Sequence, residues 1–588
     1  MKKRLVVPFV AGAFILLGFG MLQSFQSAED GKFTKMVDSY LDEYWKFYPT
    51  AGTLAGFNKY DARMEDFSES NIDKYLESVD KINAELVNKI ARDKLSPAVQ
   101  VDFDLFRNLI DLGQLRLEKI APQVLNPIFY NDVILKSVQG LLAGGTAPID
   151  ARVKSATERL KALPGLLKQA KENLTTPARE YTDEAIRQFA GILNFYKTEA
   201  APLAESAAAD AKAKFQAELA KVVPALEEYK QFLEGTLLAK STGSFRLGEA
   251  HQRFLQLTTL GNLTLNDLLA QAQADYKNIR AEMVLLSSNY YRIMDPKFNI
   301  DTVQNVSVDQ LTNNVVPHVL ARINANRPAK AEVFDRIKAA AAEIAAFIDK
   351  TKVLDIPAAP LALETMPALQ RNQMLVSLMT PSPYDKNGAF KVYYNPLIDG
   401  MADEQANQFL EEYNSYLLKM WTAVNVFPGQ LVPAMATYAN AGLIQKLMPN
   451  RALIAGWPVY AADLLIPSGF GDYDLKLLLN HMKLRLRPAI DFIIELQVHE
   501  SNLTKEQAMR LMTGTGFRTQ AEAERIWNFI AIHPFECIYP YLGYQEILSL
   551  EAEYKKAKGD AFSKKEFLKK LTSFGLPNFR ELKTKVMQ

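Results

Sequence analysis

Apolar residues recur at three- and four-residue steps along most of this chain, and no other feature limits its fold as much. Phe33, Met36, Val37, Tyr40, Leu41, Tyr44, Trp45 and Tyr48 trace one stripe, as on a helix with one buried face. Pro49 ends it, because proline cannot continue the hydrogen-bond ladder. Similar periodicity predicts helices near 70–94, 97–118, 150–173, 178–198, 202–237, 265–294, 308–323, 329–351, 404–424, 430–447 and 473–499. One stretch reads as extended, Ala389-Phe-Lys-Val-Tyr-Tyr-Asn-Pro396, with aromatics, a β-branched residue and a closing Asn-Pro turn. The expectation is a mainly α protein with a minor β element. No internal repeat is present. A soft boundary at Ser241 divides the body into residues 31–240 and 241–588.

Charge and cysteine usage exclude several function classes. With 68 basic and 67 acidic residues the net charge is +1, which leaves no electrostatic case for nucleic acid. Cys537 is the single cysteine, so no internal disulfide or cysteine-based metal site is available. Lys2-Lys3-Arg4 precede an 18-residue apolar run, Leu5 to Leu22. That order reads as an export signal, or as an uncleaved anchor within residues 1–30. No cysteine follows it, so a lipoprotein is not expected. The body is placed in the periplasm or cell envelope, touching membrane only through that segment.

Several segments occur in a fixed order. They are FYPTAGTLAGFNKYDARMEDFS from Phe47, Phe245-Arg-Leu-Gly248, and Pro428-Gly429 followed by Gly456-Trp457 with Tyr460. DFIIELQVHESNLTKEQA from Asp491, HPFECIYPYLGYQEI from His533 and a closing FGLP complete the series. From about residue 33 to the C-terminus this series resembles the bacterial family catalogued as domain of unknown function 885, a relative of zincin-like peptidases. The resemblance implies one large zincin-like multi-helix body. It also implies a metal site, HExxPGH, followed by a helix reading EGWALYAE. Here Val424 matches the first histidine, Asn425 the general base, Gln430 the second histidine and Ala455 the later ligand. Ala462 stands for the second glutamate of that helix. The family segment PGQALSYKIG matches Pro534 to Gly543, with its tyrosine at Pro540 and its lysine at Tyr541.

Zinc needs thiolate, imidazole or carboxylate donors, and these replacements supply none. Asparagine cannot exchange a proton near neutral pH, so Asn425 is no general base. The reading is therefore a degenerate site, with no metal, no cofactor and no catalytic residue. An exported, catalytically inactive homologue is expected, with a cleft for a peptide or an envelope protein. Candidate cleft contacts are Tyr393, Tyr394, Tyr460, Glu495, His499 and Tyr541. The two tyrosines at 393 and 394 read equally as core aromatics of a small sheet. Asp491, Glu495 and His499 share one helix face with Glu500 beside it. Such a row can hold a metal or polar ligand, or can be an ordinary ion-pair row. The alternative function is a hydrolase working around His499, Glu495 and Tyr541. No phosphate loop or serine nucleophile elbow is present. His533, Glu536 and Cys537 hold the parts of a cysteine–histidine pair, though a lone cysteine usually serves as a small buried hydrophobe.

Overall fold

Helices form where the apolar stripe runs. In the first, Ala28–Phe47, Phe33, Val37, Tyr40, Leu41 and Trp45 are buried while Lys32, Lys35 and Asp38 face solvent. The computed structural model describes residues 28–144, 147–259, 264–294, 308–355, 363–366, 375–385, 390–573, 575 and 577–588. The expected export segment lies outside them. Among the described residues no helix is long and apolar enough to cross a membrane.

The protein is mainly α with one three-stranded sheet. One hydrophobic core runs from Phe33 to Leu237, with Ile444 added from far along the chain. Within it, helix Ile149–Asn173 packs on Pro127–Gly144 and on Ala209–Phe232. Arg159, fully buried, pins the turn after the first helix. It donates to the carbonyls of Pro49, Arg63 and Ser137 and, at 2.6 Å, to the Thr53 hydroxyl. Thr53 passes the contact on to Asp61 at 2.6 Å. A buried guanidinium is tolerable only when it is paired and its donors are used.

A second core runs from Leu255 to Val586 and contains the sheet. Strands β1 (Leu363–Thr365), β2 (Val376–Met379) and β3 (Lys391–Tyr394) stand in the order β1-β3-β2. β1 runs parallel to β3, and β2 antiparallel to it, with Val376 opposite Tyr394. The expected extended segment is β3; β1 and β2 were not expected. Helix Leu475–Glu500 packs on Leu265–Met294 and on Ser415–Asn425, and Arg451–Leu465 packs on Ile538–Lys558.

The helix expected over 404–424 is two, Asp403–Glu412 and Ser415–Asn425. Asn414 divides them by capping the second. Its side chain accepts from the N–H groups of Tyr416 and Leu417, both at 3.0 Å, and so satisfies donors that a helix start leaves open. The helix expected over 430–447 also divides, into Leu431–Asn440 and Leu443–Leu447.

Candidate functional site

The segments that flank the four replaced positions are set by close backbone contact. Helix Ser415–Asn425 runs into the Pro428-Gly429 loop, where the Gly429 N–H donates to the Ala423 carbonyl at 3.0 Å. A Cβ on Gly429 would stand 1.8 Å from the Val424 carbonyl oxygen. The other two glycines meet where helix Arg451–Leu465 crosses Ile538–Lys558. A Cβ on Gly456 would lie 2.2 Å from the backbone of Gly543, and one on Gly543 would lie 1.7 Å from the Ala452 carbonyl oxygen. Only glycine permits these approaches.

Between these elements opens a cleft of about 920 Å3, and Val424, Asn425, Gln430 and Ala455 all line it. Leu375, Val376, Ser377 and Leu378 line it as well, so part of its wall is formed by β2, which pairs with β3. The donor set does not suit zinc. Val424 and Ala455 carry no donor atom. Gln430 has only a neutral amide. The Asn425 amide donates back to the Trp421 carbonyl at 3.1 Å. Cys537 borders the cleft, but burial pushes its thiol well above the ordinary range, which removes the reactive thiolate.

The polar groups of the cleft are arranged in pairs. The His481 imidazole nitrogen Nε2 stands 2.7 Å from Asp463, and Arg485 3.3 Å from the same carboxylate. Burial alone would raise Asp463, but His481, Arg485 and the Tyr544 hydroxyl hold it below its ordinary value.

Helix Leu475–Glu500 carries Lys483, Arg487, Asp491, Glu495 and His499 at successive four-residue steps. Each such step overshoots a full turn by roughly 40°, so the row winds round the helix instead of sharing one face. Its first three members meet the cleft network: Asp491 takes both Nη groups of Arg518 at 2.7 Å. The last two turn away. Glu495 accepts the N–H groups of Phe535 and, at 2.7 Å, Cys537. His499 stacks on His251 with ring centroids 4.5 Å apart and planes 15° apart. Phe535 covers the other face of His251 at 5.1 Å, and Phe254 stacks on Phe535 at 3.7 Å. Phe535 holds φ +81°, a left-handed backbone that costs a non-glycine residue energy.

His251, Glu495 and His499 bring three ligand-type atoms within 4.8 Å of one another. The hydrogen bonds decide against a shared ion. Nδ1 of His499 accepts the Leu247 N–H at 3.2 Å, so a neutral ring carries its proton on Nε2. That nitrogen is then a donor and has no lone pair for a metal. The group is better described as a buried ion pair beside a neutral ring. Burial opposes charge on His251, but Glu495 at 3.7 Å and Glu500 at 3.3 Å outweigh it and raise its pKa. Burial, with the nearby charge of His251 and Arg246, pulls His499 down to about 3.

The remaining candidates lie off the cleft. Tyr393 and Tyr394 are buried in the sheet core, Tyr394 stacked on Phe334; their neighbour β2 faces the cleft in their place. Tyr460 donates to Glu551 at 2.7 Å, and Tyr541 to Asp275 at 2.7 Å. Glu495, His499 and Tyr541 are thus divided between two buried settings, and none lines the cleft. His251 was missed from sequence because 249 residues separate it from Glu500, with no local pattern to join them.

A family model described as "Bacterial protein of unknown function (DUF885)" matches residues 49–586. Two solved structures, each described as a "putative lipoprotein", share the fold. One is from Shewanella oneidensis, at 23% identity and TM-score 0.79, covering 95% of this chain and 100% of that one. The other is from Colwellia psychrerythraea, at 16% identity and TM-score 0.69, covering 94% and 98%. Among curated proteins no similar sequence is found.

Proposed function

The chain belongs to the DUF885 family, and from that premise we propose that it is an exported, catalytically inactive member whose cleft binds an extended peptide or protein segment. One observation carries the reading. The four positions that the family resemblance assigns to two metal-binding histidines, a general base and a later ligand converge on a single cleft, and here they are Val424, Gln430, Asn425 and Ala455. A zinc hydrolase needs about three protein ligands and a base for the metal-bound water. Among the described residues the lining offers no such set, yet a cleft is present, and β2 forms part of its wall. An extended segment bound in such a cleft can combine main-chain hydrogen bonds with pockets that select side chains. The two solved structures described as putative lipoproteins agree with a place in the cell envelope.

The test is binding without cleavage. After exhaustive dialysis the protein should hold no stoichiometric zinc, chelators should leave its melting temperature unchanged, and peptides incubated with it should remain intact. About one zinc per chain with peptidase activity lost on chelation would overturn the reading.

A further inference from the structure

A network of buried charges borders the cleft, where Arg487, Asp491, Arg518, Glu522 and Arg525 line it. Glu412, at the end of helix Asp403–Glu412, receives two cations, Lys483 at 2.6 Å and Arg487. It also accepts the Thr519 N–H at 2.9 Å. Asp491 pairs with Arg518, and Glu522 takes Arg525 through two bonds of 2.8 Å. Three carboxylates therefore face four cations. Glu412 cannot relieve the imbalance: burial would raise it, but Lys483 and Arg487 hold it at about 2.

An uncompensated charge away from water is costly unless something pairs with it. Lys483 can shed part of the excess, since burial lowers its pKa against the pull of Glu412. The arginines cannot, because a guanidinium stays protonated. Arg487 and Arg518 are 8% and 6% exposed, both line the cleft, and the Nε–H of each lacks an acceptor among the described residues. With Lys483 protonated the surplus is one positive charge, which a monoanion balances. The planar fork of a guanidinium matches a carboxylate in two parallel hydrogen bonds.

Resting on the peptide-cleft reading, we propose that the Arg487–Arg518 corner is an anchoring subsite for a carboxylate of the bound peptide. The carboxylate comes from the C-terminus or from an acidic side chain. A peptide lying in the cleft would reach the arginines with that group.

The probes are four: tetra-alanine with a free C-terminus, its C-terminal amide, the amide of Ala-Ala-Glu-Ala, and acetate. Calorimetric titration into the whole protein should show the free acid binding tighter than the amide by roughly tenfold or more, as a charge-assisted contact requires. Recovery of that loss by Ala-Ala-Glu-Ala amide would assign the carboxylate to a side chain; no recovery would assign it to the C-terminus. Arg487→Lys keeps the charge and removes the Nε–H, so it should abolish most of the preference while the melting temperature stays near the parent's. Equal binding of the acid, its amide and Ala-Ala-Glu-Ala amide would overturn the anchor and leave the peptide cleft standing. Acetate binding that Arg487→Lys weakens, with no peptide binding at all, would keep the anion subsite and remove the peptide. Binding of none of the four would overturn both.

Discussion

His499, stacked on a His251 whose pKa is raised, sets one part of the response to acid. In the unfolded chain His499 takes up a proton below its ordinary 6.5; in the folded protein it waits until about 3. Between those values the unfolded state binds more protons, so stability falls as the pH drops. The groups facing His499 are His251, Arg246, the Leu247 amide and the Phe245 ring, with Glu495 and Glu500 beyond His251. His251 has a raised pKa. Its contribution is complete below 6.5 and disappears as the pH rises through the folded value, the opposite direction. Glu500, lowered by His251 and Gln252 against its burial, loses its contribution only as the pH falls through its own depressed value. His499→Asn keeps an acceptor for the Leu247 N–H and removes the titration. Denaturant unfolding between pH 6.5 and 3 should show a shallower loss for the variant, the difference reaching a few kcal/mol. Parallel curves would show that His499 takes no part.

At the scale of elements, the sequence disclosed what has a local period and concealed what does not. The helix Leu265–Met294 has the bounds expected from its apolar period. β1 and β2, three and four residues long, are too short for alternation to show, and their pairing depends on β3. The row on helix Leu475–Glu500 was legible as four-residue spacing, but its division between cleft and buried cluster follows from the helical overshoot and from partners far away in sequence. The resemblance singled out Val424, Asn425, Gln430 and Ala455, which line one cleft; the arginine cluster was not legible, because Glu412, Arg518 and Glu522 come from separate elements. The crossing of Arg451–Leu465 with Ile538–Lys558 yields a direct prediction. Gly543→Ala forces a Cβ to 1.7 Å from the Ala452 carbonyl oxygen and should cost about 2–3 kcal/mol or more. Gly165→Ala meets nothing within 4 Å inside its helix and should be neutral or stabilise by up to about 1 kcal/mol. Equal unfolding midpoints for the two variants would refute the close-contact account.

At the scale of the molecule, the sequence expectation is an export segment ahead of a helical body whose cores are built from residues 33 onward. A C-terminally tagged full-length protein should fractionate with the cell envelope. Recovery in the cytosol with Met1 and Leu5 still present would refute export. Sequencing the N-terminus of the exported form separates a removed signal from a retained anchor.

The glycine contacts around the cleft have a consequence for how such a protein can change over generations. Its walls are located by main chain touching main chain, at Gly429 against Val424 and at Gly456 against Gly543, and no side-chain atom of the lining takes part in those contacts. Selection can therefore rewrite the lining, one side chain at a time, without redrawing the vessel. An ancestral activity can lapse while the container is inherited intact, ready for a different guest.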